Sequence, residues 1–168
     1  MHYQEQVLTI KIFTTGGTFD KIYFDAKSEF HIGEPIIGAL LEEANVGFAY
    51  DIESLIKKDS LDMDLNDRKL IRDAVDSINN DMILITHGTD TIVETAAYLV
   101  GEDLKKTIVL TGAMQPARFR NTDAIFNIGY AISAAQHLPH GIYLAMNGQI
   151  FTPDAVQKNR DVAQFEAT

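Results

Sequence analysis

The sequence contains no cysteine, which excludes a disulfide framework, thiolate metal sites and a cysteine nucleophile. Basic charge is scarce as well: 14 Lys+Arg stand against 24 Asp+Glu, a formal net charge of −10. Nucleic acids and anionic membranes select basic faces, so neither is an expected partner. No apolar run approaches the ~20 residues of a membrane-spanning helix. Met1 to Lys11 has neither the cationic start nor the apolar centre of a signal peptide, so a cytoplasmic location is expected. The histidines (His2, His31, His87, His137 and His140) show no metal-ligand spacing, and no metal is expected. Gly16-Gly17 lacks both the G-x-G-x-x-G pattern and the P-loop Lys-Ser/Thr, which argues against a nucleotide cofactor.

What remains is a chain of 168 residues, 46% hydrophobic, the size and composition of one compact domain. Short β-branched runs alternate with helical patterns. Val7–Thr14 reads as a first strand. Asp81–Thr86, Thr107–Thr111 and Gly141–Met146 are apolar on both faces, as buried parallel strands are, and Val46–Ile52 is a weaker candidate. Leu70, Ile71, Ala74, Val75 and Ile78 form an apolar stripe after Asn66, read as an N-cap. Thr91 and Glu94 have the spacing of a capping box opening a helix to about Val100. Asn121–Leu138 is a third helix and a shorter one follows Pro35. The expected fold is therefore α/β: three layers, αβα, around a mostly parallel sheet of the flavodoxin or Rossmann kind. Phe19–Gly33, polar and aromatic between glycines, is too long for a simple connection and predicts a flap hairpin.

In such a sheet, ligands bind beyond the carboxyl ends of the strands. Those ends read Thr14-Thr15-Gly16-Gly17-Thr18, His87-Gly88-Thr89-Asp90-Thr91, Gly112-Ala113-Met114-Gln115-Pro116 and Asn147-Gly148-Gln149, with Asp59-Ser60-Leu61-Asp62 near the second crossover. Thr18 and Thr89 each follow a glycine. A threonine hydroxyl needs a base or a positioned partner to become a nucleophile. Thr89 also precedes a helix N-terminus, a favourable place for a carboxylate or a developing oxyanion. The competing reading is that both threonines only cap turns. Spacing by itself leaves a small-anion or acyl-transfer site. Asp20, Asp25, Asp59, Asp62 and Asp64 read as solvated loop charges.

Thr14–Thr18, and Thr86–Thr91 followed by Glu94-Thr95, resemble the two signature motifs of the bacterial-type asparaginase/glutaminase family. Gly112–Pro116 and Asp154-Ala155-Val156-Gln157-Lys158 fall in that family's order and spacing, so the resemblance covers nearly the whole chain. It implies amide hydrolysis through a covalent acyl-threonine, with no cofactor and a small amino acid as substrate. Thr18 matches the nucleophile. Thr89, Asp90 and Lys158 match a second constellation in which the lysine polarises the Thr89 hydroxyl. Asp90 also matches the partner of the substrate's α-ammonium and Ser60 a ligand of its α-carboxylate. Gly17 and Gly88 fall within the substrate-binding motifs. The oxyanion would be held by the Thr89 amide and groups near Ala113.

The sequence departs from the family pattern at three points. Tyr23 is the flap tyrosine taken to activate Thr18, with a buried structural tyrosine as the alternative, and Phe30 stands where a hydroxyl could have been expected. Leu61 follows Ser60 where many members have a polar residue. Family members are usually much longer, with a second domain that completes a neighbouring subunit's site. Residues 1–168 are accordingly expected to be one domain of the N-terminal type without a C-terminal domain. The apolar Asn121–Leu138 helix and the family habit lead to an expected homodimer or higher oligomer. The expected function is L-asparaginase. The alternatives are a glutaminase or dual-specific amidohydrolase, a non-catalytic amino-acid-binding module, and a subunit of a tRNA-dependent amidotransferase, against which acidity and short length count.

Overall fold

A computed structural model describes residues 8–24, 26–101 and 104–168. His2, Val7 and Asp25 lie outside the described residues. The elements run β1 (Thr9–Gly16), β2 (Lys21–Phe24), β3 (Glu29–Ile32), α1 (Ile37–Glu43), β4 (Ala49–Lys58), α2 (Leu65–Ser77), β5 (Met82–Thr86), α3 (Ile92–Leu99), β6 (Thr107–Thr111), α4 (Ala124–His137), β7 (Gly141–Met146), β8 (Gln149–Phe151), β9 (Gln157–Asn159) and β10 (Gln164–Glu166). Six strands form one sheet in the order β4-β1-β5-β6-β7-β8. All neighbours are parallel except β7 and β8. The fold class expected from the sequence is the one observed. No helix among the described residues is long and apolar enough to cross a membrane.

The layers follow from the alternation of side chains along the strands. Phe13, Ile83, Ile85, Ile108 and Leu110 point to one face, where Ile71 and Val75 of α2 and Ile92, Ala96 and Leu99 of α3 cover them. Ile12, Leu84 and Val109 point to the other, under Ile37 and Leu41 of α1 and Ala124, Ile128 and Ala131 of α4. Each of the larger of these side chains (Val, Leu, Ile, Phe), fully buried, contributes roughly 1.5–3 kcal/mol.

Several expected boundaries are corrected by where polar side chains are used. β4 begins at Ala49, not Val46, and runs for 10 residues. It is an edge strand, half exposed, and carries Asp51 and Glu53, which pair with Lys11 of β1 at 2.6 and 2.9 Å. The N-cap of α2 is Asp64, not Asn66. Its carboxylate accepts the Asn66 and Asp67 amides, and Asp67 returns the bond to the Asp64 amide. Leu70 of the expected stripe faces solvent at 44% exposure.

Thr91 does stand at the N-cap of α3 but makes no capping bond, because its hydroxyl donates to the Ser60 carbonyl at 2.8 Å. α4 starts at Ala124, three residues after the expected Asn121, since the Asp123 carboxylate is committed to the Met114 and Gln115 amides. β2 and β3 form the expected hairpin. The C-terminal strands β8, β9 and β10 have no counterpart in the sequence reading.

Candidate active site

Counting the parallel strands in chain order, β1, β4, β5, β6 and β7 lie in the spatial order 2-1-3-4-5. The order reverses between β1 and β5, and such a switch point opens a crevice for ligands. Both threonine motifs end there. Thr14 of β1 is in register with Thr86 of β5, so the chains beyond them leave the sheet side by side.

Beyond β1 the backbone turns through Gly16 and Gly17, at φ 93° and 71°, values that β-carbon-bearing residues rarely adopt. A Cβ on Gly17 would lie 2.5 Å from the Cα of Gly88, and one on Gly88 would lie 2.6 Å from the Ser60 Cβ and Oγ. Gly17, Gly88 and Ser60 are therefore stacked in direct contact. The contact brings together Thr18, which opens a short 3-10 turn to Asp20, and Thr89, which follows Gly88. Thr89 is 6% exposed and Thr18 half-buried.

Ser60 is 1% exposed. It opens its own 3-10 turn, capped by the Asp59 carboxylate on the Leu61 amide, and the Thr91 hydroxyl fixes its carbonyl. Asp59 in turn meets Lys21 of the hairpin at 3.0 Å. Burial works against the charge on Asp59. The Leu61 amide and Lys21 outweigh it, holding the carboxyl below the usual range. Asp59 and Asp64 are thus structural caps rather than free loop charges, and Asp20 is 1% exposed. Of that group Asp62 is exposed as expected.

Lys158 sits on β9. Its Nζ donates to Thr89 Oγ1 at 2.9 Å and to Asp90 Oδ1 at 2.8 Å. Arg160 Nη2 reaches the same Asp90 oxygen at 3.3 Å. The Lys158 hydrogen bond, against the opposing effect of partial burial, holds the Asp90 carboxyl below its ordinary value. Asp90 is thus a fixed anion, and the Thr89 oxygen accepts from a cation while its own proton remains free to donate. The lysine is carried by the β9–β10 hairpin. Lys158 is in register with Phe165, which is 1% exposed in the core, and the Phe165 amide donates to Asn147 Oδ1 at 2.8 Å.

His87 is fully buried. Its Nδ1 contacts the Gly88 carbonyl at 2.8 Å, so that nitrogen is the donor, and Nε2 accepts from the Thr95 hydroxyl at 2.8 Å. Burial holds it neutral, with a pKa pushed down to about 4. It orients the Gly88-Thr89 peptide through the Gly88 carbonyl. A Cβ on Gly112 would lie 3.1 Å from Thr89 Cγ2, so Ala113, 0% exposed, is one residue from contact with Thr89.

Tyr23 is carried by the β2–β3 hairpin. It is 47% exposed on β2, its ring 5.2 Å from that of Phe30, and its hydroxyl makes no hydrogen bond to Thr18 among the described residues. Phe30 in turn lies 6.0 Å from Phe119. The alternative of a buried structural tyrosine is thereby excluded.

A cleft of about 400 Å³ opens beside Thr89, Asp90, Glu94, Lys158 and Arg160. No three His, Asp or Glu converge as a metal-binding group among the described residues. Sequence reasoning missed Arg160, Asp123 and the hold of Thr91 on Ser60. Thr91 had a signal in standing next to Asp90, and Arg160 in lying two residues beyond Lys158.

Residues 9–167 match the family model described as Asparaginase, N-terminal. The chain is 32% identical over 168 residues to a probable periplasmic L-asparaginase of Haemophilus influenzae, covering 92% of this chain and 47% of that protein. It is 34% identical over 99 residues to a glutaminase-asparaginase of Pseudomonas fluorescens biotype A, covering 56% and 26%. Among solved structures, L-asparaginase I from Vibrio cholerae superimposes with a TM-score of 0.82 at 26% identity, covering 95% of this chain and 51% of that one. The chain thus spans about half, or less, of the length of the proteins it matches. With its threonine-bearing strand ends meeting at the switch point and the family model spanning almost all of its residues, the chain belongs to the asparaginase family.

Proposed function

We propose that this site hydrolyses the side-chain amide of L-asparagine to L-aspartate and ammonia. The observation that carries the reading is the Thr89–Lys158–Asp90 array, set through the Gly17–Gly88 contact against the Thr18 turn. In the proposed step, Thr18 Oγ attacks the amide carbon and its proton leaves through the Thr89–Lys158 pair or through Tyr23. The tetrahedral oxyanion is held by the Thr89 amide and the neighbourhood of Ala113. The C–N bond then breaks and the nitrogen departs with that proton as ammonia. Water, activated by the second constellation, attacks the acyl-threonine and restores the Thr18 hydroxyl. Asp90 pairs with the substrate's α-ammonium, and the Ser60 turn with its α-carboxylate. No cofactor enters the scheme. The Thr89–Lys158 contact is formed in the structure, whereas Tyr23 makes no hydrogen bond to Thr18 among the described residues.

Glutamine is the second candidate substrate, favoured by the wording of the Pseudomonas fluorescens relative's name. One methylene changes discrimination by only ~1–3 kcal/mol in a simple pocket, so kcat/KM for both amides decides between them. We also propose self-association, supported by the exposed Ile125 and Phe126 on α4; sedimentation of the purified chain tests it. A cytoplasmic location is our reading against the periplasm that the Haemophilus influenzae relative's name states, and cell fractionation separates the two.

The direct test is ammonia release from asparagine. Thr18→Ala and Thr89→Ala are each expected to abolish it while circular dichroism stays native, and full activity in either variant would remove that residue from the scheme. Binding of aspartate with no turnover of any amide would mark a binding module instead.

A further inference from the structure

Asp20 lies two residues after Thr18, in the same 3-10 turn, and is 1% exposed. Its Oδ1 accepts the Ile36 amide at 3.1 Å, while Oδ2 is buried with no hydrogen-bond partner. Its backbone carbonyl accepts the Gly33 amide at 2.8 Å and the Arg118 guanidinium at 3.4 Å. Gly33 follows β3, the return leg of the hairpin, and Ile36 leads into α1. Arg118, from the loop between β6 and α4, also holds the Glu34 carbonyl at 2.9 Å, and the neighbouring Ala117 amide donates to the Phe19 carbonyl at 3.1 Å. One residue thus joins the Thr18 turn to both ends of the segment that brings the hairpin back to the domain.

We propose that Asp20 is a positioning residue for Thr18: its buried carboxyl, when neutral, locks the Thr18 turn to the hairpin's return leg, and its ionisation loosens both. The role of Thr18 in this proposal rests on the function proposed above; the lock itself does not.

The physics is that of a buried acid with one unsatisfied oxygen. A charge placed on Oδ2 has no donor to receive it. The charged groups that face it are Arg118 from the β6–α4 loop and Lys57 from β4, which favour ionisation, and Glu34 from the segment before α1, which opposes it. Arg118 spends its hydrogen bonds on backbone carbonyls, and Lys57 is paired with Glu34. Burial dominates over the Ile36 hydrogen bond and these charges, raising the carboxyl to about 6. Opening the hairpin base returns the carboxylate to water, so each deprotonation favours the open form.

The experiment is amide hydrogen exchange of the wild-type chain from about pH 5 to about pH 7.5, corrected for intrinsic rates, with kcat and KM for asparagine measured in parallel. Protection at Gly33, Ile36 and Ala117 is expected to fall with a midpoint near 6. Asp20→Asn, which mimics the neutral carboxyl and keeps the Ile36 acceptor, is expected to hold protection constant over that range. The wild-type to Asp20→Asn ratio of kcat should drift with the same midpoint while KM changes little. Asp20→Ala is expected to lower kcat about tenfold or more by freeing the turn. Protection that is flat with pH in the wild type, or equally pH-dependent in Asp20→Asn, overturns the lock. A pH-dependent lock together with a flat kcat ratio overturns its link to Thr18. A pH-dependent lock in a chain that releases no ammonia supports the lock and overturns the function proposed above.

Discussion

The Cα of Gly88 occupies the space that a side chain on Gly17 would need, 2.5 Å from the ideal Cβ position. Two strand ends are packed backbone to backbone at the sheet's switch point, and the two threonines that follow them are neighbours for that reason. The site's geometry is therefore set by the absence of two side chains as much as by the presence of others.

Gly88→Ala tests this packing. The new methyl would meet Ser60 Cβ and Oγ at 2.6 Å, with Ser60 itself buried, and overpacking of this kind costs about 1–3 kcal/mol. Urea denaturation should show a lower midpoint at unchanged slope, and ammonia release should fall further than stability does, because Thr89 shifts with the peptide.

Lys158→Met keeps length and removes the charge. Thr89 Oγ1 and Asp90 Oδ1 each lose a donor, and the Asp90 carboxyl should rise towards its ordinary value. kcat is expected to drop by about 10²–10⁴, and NMR titration of Asp90 should show the upward shift. Activity within twofold of wild type would refute the role given to the lysine.

Thr91→Val removes the hydroxyl that holds the Ser60 carbonyl and preserves the shape of the side chain. A hydrogen bond of this type is worth about 0.5–1.5 kcal/mol. Because Ser60 is proposed to meet the substrate's carboxylate, KM for asparagine should rise severalfold at nearly constant kcat. A change confined to kcat would place Thr91 elsewhere in the scheme.

Stability against pH has an unusual expected form, because two buried groups act in opposite directions. His87 falls from 6.5 to about 4, so between those values the unfolded chain binds the extra proton and stability rises with pH. Asp20 climbs from 3.8 to about 6, so over much the same range the native chain binds the extra proton and stability falls as pH rises. From about pH 4 to about pH 6 the two slopes cancel, leaving the wild type nearly flat in respect of these groups. Asp20→Asn leaves only the histidine, and the variant's stability should climb by about 1.4 kcal/mol per pH unit across that window. Chemical denaturation at three or four pH values reads the slope directly, and parallel curves for the two proteins would contradict it.

The buried strands were legible because both faces of β5, β6 and β7 are covered, so their residues could only be apolar. The start of α4 was misplaced because Asp123 serves another loop, holding the Met114 and Gln115 amides, and that of α2 because Asp64 and not Asn66 is the cap. Thr91 was placed correctly at the start of α3, but its hydroxyl holds Ser60 instead of capping. Composition cannot reveal such a choice of partner. β4 was cut short because an edge strand has no need of an apolar run. Thr18, Thr89, Asp90 and Lys158 were named only through the resemblance of motif order; spacing by itself left a small-anion or acyl-transfer site. The means of delivering Lys158 was not legible, because β9 and β10 have three residues each and their pairing depends on Phe165 finding the core. Tyr23 was legible as a candidate by type alone, and its distance from Thr18 depends on a hairpin whose position no local pattern encodes.

The pairing of Lys158 with Phe165 ties the cation beside Thr89 to the hydrophobic core. Phe165 is 1% exposed among the side chains that also cover β5 and β6. A substitution that loosens this packing, far from the cleft, is therefore expected to reach Thr89 through the short β9–β10 hairpin.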